Sequence, residues 1–258
     1  MKKQILDFRV TGRTMLAGDR YALLRLTPAD GSPLPAGIRA GQFAQVDTDC
    51  RRVMLRRPIS INKADYTAGE LWLLIRDAGR GTHALTRKEE GSLINMVLPL
   101  GNTFSHPEAG SKVLLVGGGV GVAPMLQLGI ELAAEGTRPE FLLGARTTGD
   151  LLELDEFARV GTVNVTTEDG SAGTRGFVTD HEAMTRHYDM VYCCGPAPMM
   201  KAVARAARTT GSPCEVSLEN MMACGLGACL CCVEKTVKGN VCVCTEGPVF
   251  NTEQLTWN

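Results

Sequence analysis

Three cysteines are committed to one tight curl near the end of the chain. Cys224, Cys229 and Cys232 stand at the spacing C-x4-C-x2-C, and Cys244 follows with eleven residues between it and Cys232. Three thiolates from one compact loop plus a more distant fourth form the plant-type pattern for two bridged irons, a [2Fe–2S] cluster. Gly225 and Gly227 fall inside the first interval, where the backbone must curl and take positive φ at low cost. Small residues there also let backbone N–H groups approach sulfur, and such hydrogen bonds help to set a cluster's potential.

Other uses of clustered cysteines fit less well. Zinc ribbons carry two separated C-x2-C knuckles, whereas here x4-x2 stands alone. A disulfide framework needs an oxidising compartment, and the opening MKKQILDFRV has too short an apolar run for a secretory signal. Cys242 and Cys244 alternate along an apparent strand and would face the same side, so periodicity does not choose the fourth ligand. Cys244 abuts the turn Thr245-Glu246-Gly247-Pro248, which would hold a thiolate at a loop edge, and is preferred. Cys231 and Cys242 are read as packing thiols.

Composition sets further bounds. A net charge of −1 offers no electrostatic case for nucleic acid. The longest apolar run, Val113 to Leu128, is broken by four glycines and a proline, so no membrane-spanning helix is expected. Ten cysteines without a secretory signal point to a reducing, cytoplasmic setting. The four histidines, His83, His106, His181 and His187, are scattered without metal-ligand spacing.

The first hundred residues contain six strand-like runs: Gln4–Val10, Tyr21–Leu26, Gln42–Asp47, Arg56–Ile61, Leu71–Arg76 and Leu93–Leu98. Turn-rich segments and no long helices separate them, which predicts a six-stranded antiparallel barrel. A short helix is expected from Thr82 to Arg87, with Thr82 as its N-cap. Arg57-Pro58-Ile59-Ser60 places a guanidinium and a hydroxyl three residues apart on extended backbone. Gly79-Arg80-Gly81-Thr82 presents a helix start, a ready phosphate site. Together they suggest a bound anion and an aromatic ring.

From Lys112 the pattern changes to strand–helix alternation. Val113–Val116 reads as a buried parallel strand, followed by Gly117-Gly118-Gly119-Val120-Gly121-Val122-Ala123-Pro124. A helix is expected from Pro124 to about Glu135, ended by Gly136. Glycines at such a turn let a dinucleotide pyrophosphate approach backbone amides, so Gly118, Gly119, Gly121 and Pro124 are candidate NAD contacts. Strands at Glu140–Gly144, Val163–Thr166 and Met190–Cys194, with helices at Leu152–Arg159, Thr179–His187 and Pro198–Arg208, predict a parallel sheet wrapped by helices. Cys194, Gly195 and Pro196 close the last of these strands, at the edge where ligands of open sheets gather.

These strings resemble the ferredoxin-NADP reductase superfamily. Arg57 to Ser60 is similar to its R-x-Y-[ST] flavin motif, with Ile59 in place of the frequent aromatic residue. Gly118 to Pro124 and Cys194-Gly195-Pro196 resemble its two nicotinamide motifs. The resemblance implies FAD held by Arg57, Pro58, Ile59, Ser60, Ile75, Arg76, Gly81 and Thr82, with Arg57 at the pyrophosphate and Ser60 near the isoalloxazine. The string Thr167–Asp180 and the Cys224–Phe250 segment sharpen the likeness to the electron-transfer subunits of NAD-dependent dihydroorotate dehydrogenase, type B, along essentially the whole chain.

That resemblance implies three parts: a FAD-binding barrel over 1–104, an NAD-binding α/β domain over 105–213, and a [2Fe–2S] module over 214–258. It implies a hydride exchange between NAD(H) and FAD, and single electrons passed through the cluster on Cys224, Cys229, Cys232 and Cys244. No catalytic acid, base or nucleophile is required of the chain. The implied partner is an FMN-containing catalytic subunit that oxidises dihydroorotate to orotate in pyrimidine synthesis, in a heterotetramer with two of each chain. Alternatives are the FAD/[2Fe–2S] subunit of a ferredoxin:NADP oxidoreductase or sulfide dehydrogenase and, more remotely, a non-catalytic redox or zinc sensor.

Overall fold

Apolar residues alternate with polar ones along the first strand, β1 (Gln4–Leu16), so that Phe8 and Val10 point inward and their neighbours outward. The same period of two recurs in β2 (Tyr21–Pro28) and β7 (Leu93–Leu100), and between them come β3 (Phe43–Val46), β4 (Arg57–Ser60), β5 (Lys63–Asp65) and β6 (Glu70–Arg76). The computed structural model, which describes residues 2–257, joins these into one antiparallel sheet of order β4-β3-β7-β1-β2-β6-β5. Inward side chains from all seven strands, among them Val46, Ile59, Ala64, Leu73 and Met96, meet in a single core. A flat sheet cannot gather its two edges on one core, so this sheet curls.

The sheet has seven strands where six were expected. The addition, β5, is three residues of mixed polarity and shows no periodicity. It exists because Asp65 Oδ1 accepts the N–H groups of Thr67 (3.1 Å) and Ala68 (2.9 Å), closing a turn that folds it back on β6. The short helix α1 (Arg80–Thr86) starts earlier than expected. Gly79 is its N-cap and Thr82 lies in its first turn.

The second sheet is built from β8 (Val113–Gly118), β9 (Glu140–Ala145), β10 (Thr162–Thr167), β11 (Thr174–Arg175), β12 (Met190–Cys194) and β13 (Cys214–Ser217), all parallel. Helices α2 (Ala123–Ala134), α3 (Leu154–Val160) and α4 (Ala197–Thr209) lie between these strands in sequence. One expected helix is absent: Thr179–His187 forms two short 3-10 turns, Val178–Asp180 and Glu182–Thr185. His181 between them is extended (φ −78°, ψ 139°), and the Asp180 carboxylate turns back to accept the Phe177 N–H. Local capping by Asp competes with helix propagation at such a site.

The last segment contains β14 (Val233–Thr236), β15 (Gly239–Cys242), the one-turn helix α5 (Val243–Glu246) and β16 (Val249–Asn251). β14 and β15 pair as a hairpin. β16 pairs antiparallel with β13, Ser217 opposite Val249, so the cysteine-bearing segment begins and ends at one point of the second sheet. By contacts the chain forms two compact units. One takes the residues to Thr103 with Glu219–Glu234 and Asn240–Pro248; the other takes Phe104–Leu218, Lys235–Gly239 and the chain from Val249. Among the described residues no helix is long and apolar enough to cross a membrane.

In the second unit the segment Phe104–His106 is clamped. Phe104 packs edge-on against Tyr192, whose hydroxyl donates to the Ser105 carbonyl (2.8 Å). His106 lies between Glu131 (Nε2–Oε2, 3.2 Å) and Glu135 (Nδ1–Oε2, 2.6 Å). Glu131 first, and then Glu135, hold its pKa above the ordinary 6.5 against the opposing effect of burial. A histidine whose folded pKa is raised contributes stability fully present below the unfolded value and lost as pH rises through the folded one. The gap in melting temperature between the native chain and His106→Gln should therefore be widest below about pH 6.5 and narrow towards alkaline pH, as thermal unfolding across that range would record.

Candidate functional site

The cysteine loop follows β13 without regular secondary structure. Cys224 is half-buried, Cys229 exposed, and Cys232 and Cys244 buried. Backbone N–H groups converge on the sulfurs: Leu226 donates to Cys224 Sγ (3.3 Å), Gly227 to Cys244 Sγ (3.2 Å) and Cys244 to Cys232 Sγ (3.4 Å). Gly225 and Gly227 take φ of +69° and +84°, the left-handed turns that aim these amides inward and that glycine adopts without strain. The loop therefore ties Cys224, Cys232 and Cys244 together through its own backbone, and the exposed Cys229 bonds to Cys224 through its N–H and its thiol.

The thiols differ in acidity. The Leu226 N–H, above all, lowers the Cys224 pKa to about 6. Burial first, then the adjacent Cys232 thiol, pushes Cys244 up to about 12, partly offset by the Gly227 N–H. A metal supplies the positive charge that turns such a buried thiol into a thiolate ligand. Cys242 and Cys244 do not alternate along a strand as expected. Cys242 ends β15, half-buried, and Cys244 lies in the turn of α5, where its sulfur receives the Gly227 N–H from inside the first cysteine interval. Among the described residues no three His, Cys, Asp or Glu side chains gather around a single-ion site.

On the first sheet Arg57 and the turn before α1 meet. A methyl group at Gly81 would come within 2.7 Å of Arg57 Nε, so the guanidinium lies flat over that glycine. Arg57 Nη1 donates to the Leu55 carbonyl (2.8 Å). Its neighbour Arg56 has a different task, bridging strands through the Asn95 carbonyl (2.9 Å) and side chain (2.5 Å). Thr82, expected as an N-cap, instead turns its hydroxyl back to accept from Ala78 (2.9 Å) and Gly79 (3.1 Å) N–H groups. Pro58 and Ser60 are half-buried, Ile59 and Ile75 belong to the core, and Arg76 is exposed.

On the second sheet the glycine string and the Cys194-Gly195-Pro196 turn lie at the carboxyl ends of β8 and β12, which pair directly. After β8 the chain makes a 3-10 turn over Gly119–Val122, with Gly119 at φ +57°, and enters α2 with Pro124 buried in its first turn. A methyl at Gly121 would strike the Cys194 carbonyl and come within 2.6 Å of Gly195 Cα, and one at Gly118 would strike Met199 Sδ. These glycines thus let two loops touch. Met199, the wedge between them, carried no signal in the sequence beyond its place in the first turn of α4. Cys193 and Cys214 are buried, which raises both thiols, Cys214 to about 12.

Residues 219–256 match the iron-sulfur cluster binding domain of dihydroorotate dehydrogenase B, and residues 115–205 the NAD-binding domain of oxidoreductases. An electron transfer subunit of dihydroorotate dehydrogenase B (NAD(+)) from Listeria monocytogenes is 40% identical over 259 residues, spanning 96% of this chain and 98% of its own. The chain belongs to that family. The corresponding Bacillus caldolyticus subunit is 39% identical over 83% of this chain and 86% of its own. Among solved structures, the NADH-dependent reduced ferredoxin-NADP oxidoreductase is similar at a TM-score of 0.84 and 31% identity, covering 97% of this chain and 90% of that one. The ferredoxin reductase of carbazole 1,9a-dioxygenase shares the fold at 20% identity and a TM-score of 0.69, covering 83% of this chain and 68% of that one.

Loop contact at Gly121 makes a direct prediction for the NAD-binding part. Gly121→Ala should force the two loops apart and weaken NADH binding about tenfold, roughly 1.4 kcal/mol, as read by titration calorimetry. Gly149→Ala, whose added methyl would meet only Thr147 Oγ1 at 3.7 Å, is the matched control.

Proposed function

We propose that this chain carries electrons between NAD(H) and the FMN-containing catalytic subunit of a dihydroorotate dehydrogenase, by way of FAD and a [2Fe–2S] cluster. The observation that carries the reading is the cysteine loop, matched by the family's iron-sulfur domain and fitted with N–H donors on three of its four sulfurs. When bound, nicotinamide, flavin and cluster supply the hydride and single-electron chemistry, and the protein supplies position and tuning. The partner would oxidise dihydroorotate to orotate in pyrimidine synthesis, and two copies of each chain would form a cytoplasmic heterotetramer.

Each group has a place that suits its chemistry. Cys224, Cys229, Cys232 and Cys244 would hold the cluster. The loop amides partly neutralise sulfur charge there, which favours thiolates over thiols. Arg57 and the Gly81–Thr82 turn would hold the FAD pyrophosphate, the guanidinium over a bare glycine forming a shelf open to an anion. Pro58, Ile59, Ser60, Ile75 and Arg76 would flank the flavin, with Ile59 supplying apolar backing from the core. Gly118, Gly119, Gly121, Pro124, Cys194, Gly195 and Pro196 would form the NAD edge at the strand ends. The chain then divides into a flavin part over 1–104, a nucleotide part over 105–213 and a cluster part over 214–258.

No side chain in this scheme transfers a proton to substrate. The chain's own task is to hold Arg57 and the two loops in place, and to keep the thiols beside their N–H donors. A second reading, the flavin and iron-sulfur subunit of a ferredoxin-linked NADP oxidoreductase, draws support from the likeness at a TM-score of 0.84.

Orotate-dependent NADH oxidation after co-expression with the FMN-type catalytic subunit of the same genome separates the two readings. Turnover requiring both chains supports the first; none, with NADH-reducible flavin and intact cluster, supports the second. In the active complex, Cys229→Ser should abolish orotate-linked turnover while leaving NADH reduction of the flavin, followed by stopped-flow absorbance. Full orotate-linked turnover in a cluster-free variant would sink the electron path.

A further inference from the structure

We propose that the side-chain amide of Gln45 donates a hydrogen bond to the cluster at its Cys224 edge and so raises the cluster's potential. The inference rests on the reading that the four cysteines hold a [2Fe–2S] cluster. Gln45 lies in the middle of β3, and its neighbours Ala44 and Val46 both point into the core of the first sheet. By the alternation of a strand Gln45 points the other way, onto the face that meets the cysteine loop. There a methyl at Gly225, the residue after Cys224, would come within 2.6 Å of Gln45 Cγ and 2.8 Å of Nε2.

The residue is 1% exposed, and neither Nε2 nor Oε1 has a hydrogen-bond partner among the described residues. A buried carboxamide is costly unless it is satisfied, and its backbone is already used: the Gln45 carbonyl accepts from Arg56 Nη1 (3.3 Å). Apolar side chains fill the neighbouring positions of this strand, so an amide here calls for a polar recipient. Cluster and cysteinate sulfurs are acceptors that carry negative charge, and a carboxamide NH2 is a donor that suits them. The loop supplies its own backbone donors through Leu226, Gly227 and Cys244. Gln45 adds one from the sheet, against a glycine whose missing side chain leaves room for the approach. Donors to sulfur stabilise the more negatively charged reduced cluster, so each raises the potential.

The test is an EPR-monitored redox titration of the full cluster-loaded chain and of Gln45→Met, which keeps side-chain length and loses the donor. At a poise that half-reduces the native cluster, the variant's ratio of reduced to oxidised cluster should fall about tenfold, a shift of about 59 mV for one electron. Iron content should be unchanged. An unchanged ratio in a fully loaded variant overturns the proposal and leaves Gln45 a packing residue. Should Gln45→Met fail to retain iron, pulsed EPR of the reduced native protein with 15N-labelled glutamine amides decides the matter. A resolved 15N coupling supports the hydrogen bond and its absence overturns it. A native chain without a [2Fe–2S] EPR signal would instead refute the cluster reading on which the inference stands.

Discussion

Anionic sulfurs crowded into one short loop repel one another unless donors and metal offset their charge, and the cysteine segment is arranged around that constraint. Its amides at Leu226 and Gly227, between β13 and β14, face sulfur rather than forming helix or sheet, and the Cys244 amide faces sulfur from the turn of α5. Left-handed glycines at 225 and 227 make those orientations cheap, whereas Leu230 takes φ +54° without that freedom. In the proposed cluster, thiols that differ as widely as Cys224, drawn down to about 6, and Cys244, pushed up to about 12, would become equivalent ligands only when iron supplies the missing charge. Pairing of Ser217 with Val249 closes the segment at its base.

The glycines of the nucleotide part answer a different need. At the ends of β8 and β12 two turns approach so closely that Gly118 and Gly121 face Met199, Cys194 and Gly195 without room for a methyl. Close packing of the turns brings backbone N–H groups of the α2 start and the Cys194–Pro196 edge into one small region, which is what a dinucleotide requires. In the proposed NAD site the same residues would serve both packing and ligand approach, and a side chain at either position would disturb both. Arg57 shows the parallel logic on the first sheet, where the bare Gly81 lets a guanidinium lie flat against a turn.

Much of this was legible in the amino-acid order because it rests on local periodicity. Leu71–Arg76 and Met190–Cys194 read as strands from their own apolar patterns, and the helix after the glycine string ends at Gly136 as its sequence implies. The departures occur where a side chain overrode the local pattern. Asp65 caps a turn and creates β5, and Asp180 caps Phe177 and breaks an expected helix into two 3-10 turns. Thr82 turns its hydroxyl back on Gly79 rather than starting the helix. Cys242 and Cys244 looked alike by alternation, but one ends a strand and the other sits in a helical turn.

By itself the sequence determined the order of parts and the chemistry available to each: a run of antiparallel strands that curls into a half-barrel, a glycine-rich parallel unit, and thiols at two-iron spacing. Such features depend on spacing along one chain, and spacing is visible without coordinates. Tertiary structure alone decided which atoms meet. It placed the Gly227 amide on Cys244, set Arg57 over Gly81, seated Met199 between two loops and laid the buried Gln45 against Gly225. These contacts join residues up to 180 positions apart (Gln45 and Gly225), and no local propensity encodes them. They arise when the packing of whole strands brings distant loops together.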